Sequence, residues 1–558
     1  MALPRIGGGS GLGGVALCVG MAMLVVAPVL RPGFVLAYDM VFTPRQDLTA
    51  ASLGLGSQLP RSVPADALVA LATLAVPGEL LQKAVLVLIL ACAAGGAARL
   101  TPHPSLWARA AAGVLYAWNP YVAERLFIGH WALLVGYAAL PWVAGAALVV
   151  RRGDRGAWPR LLLASAPAMI TPTGGVIAAA VAVAVAGQRG RRALALVGAM
   201  LVLNGPWLVP ALLHPGGGGS DPAGIAAFAA RAENWSGTLG SLLGLGGIWN
   251  GEVVPGSRTT IVAPLCTGLL LAVAVLGARR LLAEWGRPAV SGLAVVAAGG
   301  LVVALLGALP LTAGMLEWVV AEIPGGGLLR DGQKWIAPLA LLLAVCFGLG
   351  AGALARRPEP LGRGAIALGG VLLPIVMLPD LAWGGFGRLE AVRYPVEWAA
   401  VQRIVESSSQ PGDIVPLPFS TYRAFRWNDG RTLLDPAPRW FRQPVLADDA
   451  LPVGGTVVAG EDRRVAAVRE ALRSGRPLGE VGVSWVLVEK GTPGLAPSSE
   501  LQDLERVHDG PELALYRVPA VRPAEAAGPP ILPVVAADFA AVALVVAAAV
   551  ARGGRVRA

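Results

Sequence analysis

The chain has 558 residues, of which 55% are hydrophobic and only 14% charged, with a mean hydropathy of +0.64. That balance excludes a large soluble globular domain and describes a polytopic α-helical membrane protein. The net charge of +10 comes mainly from arginine. No basic stripe with interleaved aromatics accompanies it, so it reads as loop charge that orients the chain in a bilayer and not as a nucleic-acid surface.

A helix needs roughly 20 apolar residues to cross the hydrocarbon core. The sequence places such runs at about 11–36, 80–98, 105–119, 131–150, 193–212, 261–278, 288–308, 336–354, 364–381 and 531–551, about ten spans in all. The first is read as an uncleaved helix, although Val35-Leu36-Ala37 has the small residues of a signal-cleavage point. Residues 66–76 are apolar but short, as for a reentrant or interfacial helix. Residues 161–187 form two apolar halves broken by Thr171-Pro172-Thr173-Gly174-Gly175, with Arg160 before and Arg189, Arg191 and Arg192 after. Each half is too short to cross, which predicts a half-depth hairpin entering from the cytoplasm. The four cysteines, Cys18, Cys92, Cys266 and Cys346, lie in apolar runs without metal-ligand spacing or a disulfide framework.

Arginines at 151, 152, 155, 189, 191, 192, 279, 280, 287, 356, 357, 363, 552, 555 and 557 fall on one side of these spans. The positive-inside rule makes that side cytoplasmic. Residues 37–65, 120–130, 213–260, 309–335 and 382–530 are then extracytoplasmic, in what reads as the cytoplasmic membrane. The expected organisation is a transmembrane part over 1–381, a small extracytoplasmic α/β domain over 382–530, and a final helix with a basic tail over 531–558. Within 382–530, helices are expected at 395–408 (Val396, Ala400 and Ile404 on one face) and 463–473. Strands are expected at 483–488 and 513–518, an edge strand at 414–419, and a hairpin turn at Asp429-Gly430. Asp538, an acid inside the last span, is expected to face the bundle or a partner.

The chemistry-bearing residues gather in the outer loops. The first holds Asp39, Arg45 and Asp47. An acid at the mouth of a membrane domain is costly without a task or a partner, so Asp39 is the candidate catalytic base, with Asp47 its rival. The alternative is a solvated acid that ends a helix. The second loop carries Glu124, Arg125 and His130 among aromatics. They read either as an interfacial belt with a self-neutralising Glu–Arg pair or as a polar cluster facing the same cavity as Asp39. The third holds Gly216 to Gly219 and then Glu233, Asn234 and Trp235, acid, amide and ring together suiting a sugar. The fourth, Gly325 to Trp335, places Arg330, Asp331, Gln333 and Lys334 before a helix N-terminus, an arrangement suited to phosphate, or else an Arg–Asp turn with a snorkelling lysine. An acid, a phosphate clamp and stacking aromatics on one face fit glycosyl transfer from a lipid-phosphate sugar, for which no nucleotide fold is needed.

The acid after the first span, the long outer loops and the half-depth hairpin resemble the GT-C class of polyprenyl-phosphate-dependent glycosyltransferases. Tyr116 to Trp142, Leu329 to Trp335 and Pro416 to Pro436 are similar to actinobacterial membrane proteins related to the mycobacterial arabinofuranosyltransferases of the cell envelope. The resemblance implies inverting transfer from a polyprenyl-phosphate sugar to an arabinan, mannan or glycolipid acceptor, with Asp39 as base. In that class the acid is often paired; here Met40 follows Asp39, which leaves any need for a divalent cation open. Two other readings stand beside it. One is a lipid or polysaccharide transporter or flippase, favoured by the broken hairpin alone. The other is an inactive envelope scaffold.

Overall fold

A computed structural model describes residues 12–154, 156–215, 217, 219–356, 360–408, 410–494, 501–522 and 528–556. Arg155, Gly216, Gly218, Arg357 and Arg557, used above for topology or loop chemistry, lie outside the described residues. The chain is a multi-pass membrane protein. Among the described residues, seven helices are long and apolar enough to cross a bilayer: Gly78–Leu100, Trp131–Arg151, Arg191–Leu212, Val262–Trp285, Arg287–Leu306, Gly332–Leu354 and Ile531–Gly554. An eighth span is reached if Gly362–Met377 and Pro379–Phe386, bent by 71°, count as one.

The expected count of about ten is therefore not met, for a physical reason. The helix at 12–26 ends where Pro28, Pro32 and Gly33 interrupt it, leaving 15 residues. The helix Leu106–Ala117 has only 12 and is buried along most of its length. Asn119 stops it by capping the next helix, its side chain accepting from Val122 N–H at 3.1 Å. A buried helix is as apolar as a spanning one, so composition does not separate the two. Residues 157–186 do form a broken pair, a helix at Ala157–Ser165, a 3₁₀ turn, and a helix at Pro172–Ala186 capped by Thr171.

Close packing in the bundle relies on glycine. A Cβ on Gly277 would lie 1.9 Å from the Cys346 carbonyl oxygen, and one on Gly350 would lie 1.9 Å from that of Val273. Helices 262–285 and 337–354 thus meet backbone to backbone, where lipid offers no hydrophobic drive and close van der Waals contact must hold them. The last helix turns Leu532, Phe539, Val542, Val546 and Val550 outward, and Asp538 on it is partly buried.

One end of the bundle carries the strands. They are β1 (Phe34–Val35), β2 (Ala391–Val392), β3 (Asp413–Leu417), β4 (Tyr422–Arg423), β5 (Leu433–Leu434), β6 (Leu451–Val453), β7 (Thr456–Val458), β8 (Val483–Glu489), β9 (Glu505–Asp509) and β10 (Leu513–Arg517). The main sheet has order β3-β8-β10-β9, with β3 parallel to β8 and the other pairs antiparallel. The proline-containing β3 is at its edge, as expected. Alternation sends Ile414, Trp485, Leu487, Leu513 and Leu515 to one face, against helix Glu397–Ser407. Val415, Leu417, Val483 and Val486 go to the other, against helix Arg463–Ser474. The face of helix 397–407 differs from expectation. Trp398, Val401 and Val405 are buried, while Val396, ahead of the helix, is 88% exposed. The large indole at 398 decides the helix rotation. Asp429 and Gly430 both adopt left-handed φ (54° and 68°), forming the tight turn between β4 and β5.

The loop after the first helix belongs to this layer. β1 pairs with β2, Tyr38 N–H donates to Thr432 O and Leu434 N–H to Tyr38 O (both 2.7 Å), and Phe34, Leu36, Val41 and Phe42 join the core around Trp398. Beneath β4, fully buried Arg423 pairs with Asp435 at 2.8 Å and with Glu489. Burial holds the Glu489 carboxyl well above its ordinary value. Arg423→Met would strand the buried Asp435 charge. The expected cost is about 3–5 kcal/mol, read as a lowered melting temperature of the purified protein by tryptophan fluorescence.

Candidate active site

The site begins with a tight turn. Met40 N–H donates to Ala37 O at 2.9 Å, with Tyr38 at a φ of 46°, uncommon for a bulky residue. Asp39 N–H donates to Ile128 O at 3.2 Å, which draws the second loop against the first. Contact is so close that a Cβ on Gly129 (φ +80°) would sit 2.2 Å from Met40 N. Only glycine fits there.

The Asp39 carboxylate is held from two sides. Tyr422 OH donates to Oδ1 at 2.6 Å, and His130 Nε2 lies 3.2 Å from Oδ2. His130 Nδ1 is 3.0 Å from Arg125 Nη1. A guanidinium can only donate, so Nδ1 must accept and Nε2 must carry the proton that faces Asp39. Burial and the Lys334 charge keep His130 below its ordinary pKa despite Asp39, so the ring is neutral near pH 7. Burial alone would raise the Asp39 pKa. The His130 bond, the charge that ring gains when it protonates at lower pH, the Tyr422 hydroxyl and the nearby Lys334 ammonium outweigh it and bring the carboxyl to about 2. Asp39 is therefore ionised.

Arg125 is the hub behind this arrangement. It is fully buried and grips Asp331 with two bonds (2.6 and 2.8 Å), His130, and the Gln333 side-chain oxygen, to which Nε donates at 2.8 Å. Its donors are thereby used inside the protein. Glu124 and Arg125 do not neutralise each other. Gln333 Nε2 and Ile248 N–H donate to Glu124 Oε2 at 3.1 and 3.3 Å. Burial and the neighbouring Glu233 raise the Glu124 carboxyl well above its usual range. Protonated, its Oε1 can donate to Glu233, which itself pairs with Arg258 at 2.8 Å.

The other charges divide. Lys334 stands 3.5 Å from Asp331 and acts electrostatically on Asp39, with its side chain 27% exposed. Arg330 joins a neighbouring group, pairing with Glu461 at 3.4 Å and stacking on Phe228. Arg61 also pairs with Glu461 and lies close enough to Tyr422 to act on it. Beside this group is a cavity of roughly 470 Å³ lined by Ser220, Asp221, His214 and Glu461 among others. The third loop reaches the site through Glu252, which accepts from Tyr38 OH at 2.6 Å.

Four expected site residues lie elsewhere. No side-chain hydrogen bond or ion pair among the described residues joins Asp47 to this cluster, and Arg45 lies in a separate cleft. Trp235 is 65% exposed and donates to Ile261 O. Asn234 makes a local turn with Ser236 and a bond to Arg258 O, a structural role. Tyr422, Arg61, Arg258 and Glu461 were not singled out from sequence. Tyr422 lies within the Pro416 to Pro436 stretch, and its place there was the one available signal.

The helix bundle with its strand-bearing end is a fold seen in known structures. Two solved structures share it, both of arabinofuranosyltransferase AftD from Mycobacteria. One, of a point mutant, matches at a TM-score of 0.55 and 16% identity over 92% of this chain and 42% of that one; the other at 0.51 and 18% over 91% and 40%. The chain thus spans less than half the length of these proteins. No protein-family model and no curated protein matches it.

The Asp39 pKa sets a pH signature. A carboxylate held at about 2, below its ordinary 3.8, adds stability that is full above pH 4 and lost as pH falls toward 2. The gap in melting temperature between wild type and Asp39→Asn that this carboxylate contributes is expected to hold down to about pH 4 and to narrow as pH falls from there toward 2, as measured by melts from pH 7 to 2.

Proposed function

We propose that this chain is a membrane glycosyltransferase. It moves a sugar from a polyprenyl-phosphate carrier to a hydroxyl of a cell-envelope glycan or glycolipid, on the extracytoplasmic side of the cytoplasmic membrane. The observation that carries the reading is that five separate segments bring His130, Glu252, Lys334 and Tyr422 around Asp39, directly or through Tyr38, at one end of a membrane bundle. The AftD-like fold supports it. The arginine-rich loops support the assignment of sides.

In this mechanism Asp39 takes the proton of the acceptor hydroxyl. The freed oxygen bonds to the anomeric carbon as the bond from that carbon to the phosphate oxygen breaks. The lipid phosphate leaves with the electron pair, and a single displacement inverts the centre. The Tyr422 hydroxyl, 2.6 Å from Oδ1, marks where the acceptor hydroxyl would sit. A carboxylate with a pKa of about 2 is a weak base. Displacing Tyr422, and placing an anionic phosphate against Lys334, both remove what keeps it acidic and strengthen it in the loaded site. Lys334 and Arg330 stabilise the departing phosphate. Arg125, Asp331 and Gln333 act as positioning residues, with Glu124 and Glu233 behind them. The donor set does not fit a divalent cation. Among the described residues no three His, Cys, Asp or Glu groups converge to hold one, and both Asp39 oxygens are already engaged. No step is routed through a metal.

The test is transfer by purified protein from a panel of decaprenyl-phosphate sugars, arabinofuranose and mannose included, to oligosaccharide acceptors. Asp39→Asn is expected to lower kcat by about 10²-fold or more, with Asp47→Asn near wild type. Loss of transfer in Asp47→Asn with retention in Asp39→Asn would overturn the assignment. Tyr422→Phe is expected to keep kcat within severalfold while shifting the KM for acceptor.

A further inference from the structure

Away from Asp39, a second cleft of roughly 360 Å³ opens between the first loop and the chain leading into helix 397–407. Arg45 and Arg393 border it, and Tyr394 and Trp440 form an aromatic wall with ring centroids 4.9 Å apart. Among the described residues neither arginine makes a side-chain hydrogen bond or ion pair, and both are exposed. The one carboxylate in the cleft, Glu79, is already engaged by Lys83 at 2.6 Å and by Gly33 N–H at 2.9 Å. Arg393 is near enough to Glu79 to help hold its carboxyl low, but neither arginine is tied by a hydrogen bond among the described residues, so the cleft offers net positive charge with two guanidinium forks whose donors are unused.

Its position says what occupies it. Glu79 is in the first turn of the spanning helix Gly78–Leu100, whose Gly78 N–H is tied to Pro44 O at 3.0 Å. The cleft therefore lies at the polar margin of the bundle, where lipid headgroups begin. Its lining includes apolar, uncovered Val396, 88% exposed, and the neighbouring chain positions Leu80 and Leu48 are also exposed. Arginine pairs recognise phosphate through parallel N–H donors, and an apolar rim at headgroup depth fits acyl chains beneath it.

We propose that this cleft binds the phosphate of an anionic phospholipid from the leaflet at the strand-bearing end, through Arg45 and Arg393. The site is separate from the Asp39 cluster and does not depend on the glycosyl-transfer reading. It holds the bilayer against the segment that also carries Asp39, since both belong to the loop running from β1.

The experiment is native mass spectrometry of the full-length protein in detergent, titrated with phosphatidylglycerol or phosphatidylcholine of identical acyl chains. Wild type is expected to retain phosphatidylglycerol preferentially. Arg45→Gln/Arg393→Gln is expected to weaken that retention roughly 30-fold at low salt, with an unchanged melting temperature. Arg473→Gln, on the far helix, is expected to leave it intact. Equal retention of both lipids, or full retention by the double variant, would overturn the proposal. Displacement of phosphatidylglycerol by excess inorganic phosphate would reassign the cleft to a free anion. Stronger binding of decaprenyl phosphate than of phosphatidylglycerol would reassign it to the donor. Either reassignment also overturns the proposal.

Discussion

The structure at the strand-bearing end depends on one buried guanidinium. Arg125 carries a full charge in a site with no exposed surface, a position tolerable only because Asp331, Gln333 and His130 absorb its donors. Those partners come from the fourth loop and from the turn just after its own helix. One side chain therefore fixes the separation of two loops, the tautomer of His130 and, through that ring, the orientation of Asp39. A lysine there could not make the same set of bonds, since its ammonium lacks the planar fork.

A second constraint is burial of acid against acid. Glu124 with Glu233, and Glu489 with Asp435, each place two carboxyls within reach of one arginine. In both pairs one member is driven toward its neutral form and can serve as a donor. The buried acids thus do not need a matching number of cations, and Lys334 is left partly exposed.

Local features were readable in the sequence because local physics sets them. The apolar runs became helices, Asp429-Gly430 became a left-handed turn, and strands formed at 483–489 and 513–517 where short runs rich in apolar residues were read as strands. Asp39, Glu124, Arg125, His130, Asp331, Gln333 and Lys334 stood out as polar residues beside apolar segments, and the fold brings them together. Other features needed three-dimensional information. Whether a short apolar helix crosses depends on its neighbours and not on its length: 12–26 and 106–117 fall below spanning length, yet 106–117 returns the chain from the far end of helix 78–100 to the end where Ile128 meets Asp39. Tyr422 meets Asp39 across 383 positions of sequence, a pairing no spacing rule anticipates. Asn234 and Trp235 carried the composition of a sugar site but point to local turns and the surface.

The sharing of the first loop with the strand layer has a consequence for how this protein can be divided. The residues from 382 to 530 look like a self-contained unit in composition, yet their core is closed by Phe34, Leu36, Val41 and Phe42, and β2 has its partner in β1. A fragment cut at that boundary would expose an apolar trough and an unpaired strand edge, both invitations to self-association. The piece that could stand free is a discontinuous one. It joins a short stretch from near the amino terminus to a long one from the carboxyl half, and the membrane helices between them act as the insert.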